Sequence, residues 1–203
     1  MQYTGSIDNR GILEIIRRSC SYVDARLMNH GYRVAYIVSE MLKPYFHEDA
    51  RKIRDVCFLA LLHDIGAYKT DEISKMLQFD TDDVLAHSVY GYLFIKYFSP
   101  LKKLSGAILL HHATWQVLEH SEVFPKGIRL LAQVIHVADR IDVAMEVQHL
   151  TWEETAVLLK KESGTKFSPF IADLALACDF HTPFEGDTDA ESLFFQLFSE
   201  ISL

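Results

Sequence analysis

His63 and Asp64 stand side by side at the end of an apolar run, Leu61-Leu62-His63-Asp64-Ile65-Gly66. An imidazole and a carboxylate are both ligands for first-row metal ions, and a glycine just after them reads as a helix stop. Neighbouring residues on a helix diverge by about 100°, because one turn takes about 3.6 residues, so the pair does not easily chelate one ion from mid-helix. It can serve a cluster in which Asp64 bridges two ions and His63 binds one. His111-His112 poses the same geometry and would serve the second ion. Two ions about 3.5–4 Å apart clamp a phosphate and activate an attacking water.

The chain has ten histidines, and their placement matters more than their number. His30 is expected at a helix start, His87 within a helix, and Asp139 beside Ala138 on an apolar helix. Taken singly, His30 or His87 is an ordinary helix histidine and Asp139 a capping or surface acid. Together with the two adjacent pairs they form an ordered set of nitrogen and oxygen donors without a thiolate. Such a set suits iron, manganese or a related ion better than a structural zinc. His136 falls one turn before Asp139 and could support a ligand from behind. It is read first as structural, like His47, His120, His149 and His181.

These residues need helices to position them, and the periodicity supplies helices alone. Ile12, Ile15, Ile16, Val23 and Leu27 mark one helix to Met28; Val34, Ile37, Val38, Met41 and Leu42 mark a second from His30, closed by Pro44. Acidic Glu48 and Asp49 open the helix that carries Ile53, Val56, Cys57, Ala60 and Leu61 to the His-Asp pair. Thr70-Asp71-Glu72 and Thr81-Asp82-Asp83 both read as helix starts, the second leading through Val84, His87, Gly91 and Ile95. Beyond the break at Ser99-Pro100, Leu104, Ile108 and Leu109 lead to His112. The pattern lapses from Val117 to Lys126 and resumes at Ile128, Leu131, Ile135, Ala138 and Ile141. Thr151-Trp152-Glu153-Glu154 is a capping box, and Ser168-Pro169 a cap with proline at the first helical position. Alternating strand patterns are missing. The expected fold is all-α: a single helical bundle over residues 1–182, with a linker and short amphipathic tail over 183–203 that contains Leu193, Phe194, Phe195, Leu197 and Phe198.

Bulk properties narrow the function. A length of 203 residues suits one sizeable core, and a net charge of -8 argues against a polymeric nucleic-acid partner. An anionic small substrate stays compatible with that charge if bound cations sit in the site. Three cysteines, spaced far apart and odd in number, suggest neither a disulfide framework nor a zinc ribbon. Neither a signal peptide nor a membrane span is expected, so the default location is cytoplasmic.

The order His, His-Asp, His, His-His, Asp resembles the HD superfamily of metal-dependent phosphohydrolases, and within it the HD-GYP branch. The matching stretches are His30-Gly31-Tyr32-Arg33-Val34, Ala60 to Gly66, His87-Ser88-Val89-Tyr90-Gly91-Tyr92, Leu109-Leu110-His111-His112 and Leu130 to Asp142. A last echo is Ser163-Gly164-Thr165-Lys166-Phe167-Ser168-Pro169, so the likeness spans about Arg26 to Cys178. The resemblance implies a single HD-domain bundle and hydrolysis of a cyclic di-GMP-like cyclic dinucleotide or another small phosphate ester. It implies two metal ions, iron or manganese: one held by His30, His63, Asp64 and Asp139, the other by Asp64, His87, His111 and His112. Asp64 would be the catalytic bridge, with a metal-activated water as nucleophile.

The chain departs from that pattern where the branch touches substrate. Ala67 stands where a lysine usually follows His-Asp-Ile-Gly, and Lys69 is its nearest stand-in. The loop from Ala113 to Pro125 lacks the acidic-Gly-x-Gly-Tyr-Pro signature, and Glu146-Val147-Gln148-His149 replaces a basic stretch. Arg26 takes the place of a glutamate that supports a third metal in some members. Lys69, Arg33 and Arg140 are the candidate substrate cations. An alternative reading is a catalytically weak regulatory module that keeps its metal and docks a protein partner or a second copy, with the Phe-rich tail as one contact. Oxygen activation at a di-iron centre ranks last.

Overall fold

The computed structural model describes residues 25–45, 50–67 and 84–180, with Ile15 and Ser192 as isolated positions. Eight α-helices account for most of this, and among the described residues the only β feature is one bridge between Ser163 and Phe167. The all-α expectation holds.

Helix α1 spans Ala25–Leu42 and buries Val34, Ala35, Ile37, Val38 and Met41 completely. The break expected between Met28 and His30 does not occur. Met28 and Tyr32 are both buried, so the apolar stripe continues across that point and His30 lies in the second turn rather than at a helix start. Most of the helix expected from Ile12, the start at Thr70, Lys69 and the tail at 183–203 fall outside the described residues.

Helix α2 spans Ala50–Leu61 and ends before the His-Asp pair. Leu62, His63 and Asp64 form a turn, followed by a 3₁₀ turn at Ile65–Ala67. Gly66 therefore does not stop the helix. A Cβ at this position would lie 2.0 Å from the His87 carbonyl oxygen and 2.5 Å from the Gly91 nitrogen. The glycine lets the turn touch the backbone of α3, Val84–Phe98, the helix that carries His87.

A 3₁₀ turn at Lys102–Leu104 leads into α4, Ser105–Leu110, which ends just before His111. A short helix α5, Trp115–Glu119, occupies part of the stretch expected to be loop. Arg129 donates to the Leu118 and Glu119 carbonyls at its end, which places a cation where a helix C-terminus favours one. Helix α6, Lys126–Asp142, runs through the centre and continues as a π turn at Val143–Val147. Helix α7, Trp152–Glu162, opens on the expected capping box: Thr151 Oγ1 accepts from Glu154 N–H and Glu154 Oε2 from Thr151 N–H. Helix α8, Pro169–Leu176, has proline in its first turn, but the Ser168 side chain does not cap it.

Helix α1 packs on α2 and α6, α3 packs on α4 and on the Gly66 turn, and α6 also packs on α4 and α8. Ile37, Leu59, Ile108, Ile135 and Ile141 form the fully buried centre. A cavity of about 770 Å³ opens among the C-terminal end of α1 and the N-terminal ends of α2, α6 and α8, lined by Leu42, Ile53, Leu131, Val134 and Phe170. It is apolar and contains none of the histidines, so the chemistry lies elsewhere. No described helix is long and apolar enough to cross a membrane.

Candidate metal centre

Five segments distant in sequence deliver the ligand types to one buried place. His30 comes from α1, His63 and Asp64 from the turn after α2, His87 from α3, His111 and His112 from the turn after α4, and Asp139 from α6. Because both adjacent pairs sit in turns, the divergence that limits neighbours on a regular helix is relaxed. Fully buried aspartate is uncommon unless paired or ligating. Here His30, His63, Asp64, His87, His111 and Asp139 are all buried together.

Asp64 divides the cluster in two. Its Oδ2 lies 3.1 Å from His63 Nε2 and 3.7 Å from His30 Nε2, and its Oδ1 lies 3.4 Å from His111 Nε2 and 3.6 Å from His87 Nε2. Two donor groups result, each with its ligand atoms within 4.8 Å of one another: His30, His63 and Asp64, and Asp64, His87, His111 and His112. Either could hold a metal ion. Asp139 approaches the first group through His30, with Oδ1 3.3 Å from His30 Nε2. His87 and His112 point their Nε2 atoms at each other, 3.0 Å apart.

Backbone carbonyls set the tautomers. His63 Nδ1 lies 2.7 Å from the Ala60 carbonyl and His111 Nδ1 lies 2.5 Å from that of Ile108. A carbonyl can only accept, so Nδ1 carries the proton, and in the neutral ring Nε2 is left with its lone pair aimed into the cluster. Those two Nε2 atoms and Asp64 Oδ1 are buried without any hydrogen-bond partner. Each such orphan costs about 1–3 kcal/mol, a penalty that a coordinated cation would remove. The donor set therefore fits first-row metal ions.

The titration directions fit a buried ionic cluster. Burial works against the Asp64 carboxylate, but His63, His111 and His87 outweigh it and hold its pKa well below the usual range. Asp139 is likewise held low against burial, by Arg140 and His30. Burial pushes His87 down to about 4 and His112 well below its ordinary value, which keeps both neutral as ligation requires. In the metal-free protein burial works against the His30 cation, but hydrogen bonds to Asp139 and Asp142 outweigh it and raise the pKa to about 10; an ion bound at Nε2 would displace that proton.

Asp142 is a member of the site to which the sequence reading gave no role. Its Oδ2 accepts from His30 Nδ1 at 2.6 Å and from Arg33 at 3.0 Å, while its Oδ1 accepts from Arg33 Nε at 2.5 Å. The carboxylate fixes the His30 ring so that Nε2 faces Asp64 and Asp139, the arrangement by which outer carboxylates orient metal-binding imidazoles. The signal was available: Asp142 is three residues after Asp139, on the same face of α6. Gln133 was also missed. Fully buried, it donates to the Ala113 carbonyl at 2.9 Å and accepts from Ser168 N–H at 2.7 Å.

The candidate substrate cations are placed differently from one another. Arg33 is engaged by Asp142, and Arg140 donates to Asp139 Oδ2 at 2.8 and 3.1 Å. Both thereby buttress the centre. Lys69 and the Arg26 side chain fall outside the described residues. Ala67 is fully buried in its 3₁₀ turn. The loop after His112 is tied down in place of the missing signature: Trp115 N–H donates to the Lys166 carbonyl and Gln116 N–H to that of Thr165, at 2.9 and 3.0 Å.

The HD domain family model matches residues 27–144, which enclose every ligand candidate. The chain belongs to the HD domain family. No curated protein matches it. As in other HD domains, a buried His/Asp cluster compatible with metal binding lies at the middle of the bundle, and the family points to metal-dependent phosphohydrolase chemistry.

Proposed function

We propose that this HD-domain protein hydrolyses a phosphodiester at a dinuclear centre, with a cyclic dinucleotide of the cyclic di-GMP kind as the first candidate substrate. The observation that carries the reading is Asp64, whose two oxygens face two separate sets of imidazoles. His30, His63, Asp64 and Asp139 would hold one ion, and Asp64, His87, His111 and His112 the other, with iron or manganese favoured by the all-nitrogen and oxygen set. Bound there, the ions would supply Lewis acidity toward the phosphoryl oxygens and acidify the attacking water. The chain's own residues do the rest. The Ala60 and Ile108 carbonyls and Asp142 lock three rings with Nε2 inward, and the buried position of the donors excludes bulk water.

Replacing Asp64 with Ala removes the shared donor, so metal per chain should fall to a small fraction of wild type and turnover of bis(4-nitrophenyl) phosphate or cyclic di-GMP should vanish. Elemental analysis and product chromatography read both. A manganese- or iron-loaded wild type no faster than Asp64→Ala on any phosphoester would end the hydrolase reading. The second reading, a metal-keeping regulatory module, is favoured by buried Ala67 and by the engagement of Arg33 and Arg140 with aspartates. Tight binding of a cyclic dinucleotide without turnover would select it.

A further inference from the structure

We propose that Lys166 supplies the side-chain cation that contacts the substrate's phosphate beside the His87–His112 half of the centre. This inference rests on the phosphodiester reading and adds the residue that recognises the anion. Arg33 and Arg140 both reach the centre, but each is turned onto an aspartate, Asp142 and Asp139 respectively. An incoming phosphodiester carries negative charge, and beyond bound ions a lysine or arginine is the group that holds it. Lys166 forms no ion pair with any described carboxylate and is only partly exposed.

Its backbone is anchored toward the site. The Lys166 carbonyl accepts from Trp115 N–H at 2.9 Å, three residues beyond His112. The next residue, Phe167, is buried edge-on against His136 with ring centroids 5.3 Å apart, and the His136 ring lies 6.2 Å from that of His112. The turn is closed by the parallel Ser163–Phe167 bridge, with Gly164 at φ 82° and its N–H donating to the Phe167 carbonyl at 2.8 Å. Positive φ suits glycine and fixes the turn that presents Lys166. A lysine on a rigid backbone, without a carboxylate of its own and next to Phe167, whose ring packs on His136 and through it reaches His112, is positioned as a phosphate contact.

The test uses the full chain loaded with manganese. Inorganic phosphate binding is measured by calorimetry, and its inhibition of bis(4-nitrophenyl) phosphate turnover by initial rates. Lys166→Ala should weaken phosphate about tenfold or more, the loss of one charge-assisted hydrogen bond, and should raise KM with little change in kcat. Lys166→Arg should recover most of the affinity, and metal content should be unchanged in both variants. Wild-type phosphate affinity in Lys166→Ala, with its metal intact, overturns this inference alone. A metal-loaded wild type that binds no phosphate overturns it together with the hydrolase reading.

Discussion

Asp64 and Asp142 do different work at the residue scale, although both are buried aspartates near His30. Asp64 offers one oxygen to each half of the cluster, whereas Asp142 spends both oxygens on His30 and Arg33 and offers none to an ion. Asp142 thus acts through His30. Asp142→Asn keeps an oxygen acceptor but loses the charge that holds the imidazole and the guanidinium. Affinity for the first ion should fall about 10- to 100-fold, the usual cost of removing an outer carboxylate, while the second ion is retained. Metal titration with a competing chelator measures the two sites separately. Equal weakening of both would show that Asp142 does more than orient His30.

Close backbone contacts between elements decide whether the ligands meet at all. Gly66 brings the His-Asp turn against α3, and Gly31 does the same for α1 and α2, where a Cβ would lie 2.5 Å from the Leu61 carbonyl oxygen. Neither contact can yield cheaply, because the neighbours are backbone. Gly66→Ala should therefore destabilise the fold by about 3 kcal/mol, the upper end for overpacking a site that cannot relax. It should also displace His87 from Asp64. Urea unfolding gives the first effect and loss of metal from the His87 half the second. The sequence signalled a glycine but suggested the wrong reason, since a helix stop and a close approach carry the same residue type. Helix α1 shows the same limit: the periodicity suggests one helix to Met28 and another from His30, and only packing of Met28 and Tyr32 against the core carries the helix through.

The molecule as a whole should be sensitive to acid before its carboxylates titrate. Burial pushes His136 down to about 3, His87 to about 4 and His112 well below its ordinary value. The unfolded chain takes up these protons near pH 6.5, and the folded chain refuses them until much lower pH. Their contribution is complete above about pH 6.5 and is lost as pH falls below it, by about 1.4 kcal/mol per pH unit for each group. His30 behaves oppositely: raised to about 10, it stabilises fully below about pH 6.5 and loses that contribution as pH climbs through 10. The slope between about pH 6.5 and 4.5 therefore belongs to the neutral buried histidines. His136→Leu should remove one proton's share of it in the metal-free protein, read from urea midpoints at several pH values. An unchanged slope would mean that His136 titrates normally in the fold.

Helical periodicity, the capping box at Thr151, the proline start at Pro169 and the adjacent pairs His63-Asp64 and His111-His112 were legible in the sequence, because each depends on residues within a turn or two of one another. The same local signals gave the all-α bundle, whereas the grouping of His30 and His63 with one half, and His87, His111 and His112 with the other, came only from the resemblance to the HD superfamily. Tertiary structure alone decided what those residues face. It turned Arg33 and Arg140 onto aspartates, gave Asp142 its role, made Gly66 a contact point and tied the Lys166 carbonyl to Trp115 in the loop after His112. These pairings join segments up to 112 residues apart. They exist only when α6 closes against α1 and α4, a condition set by core packing rather than by any short stretch of chain.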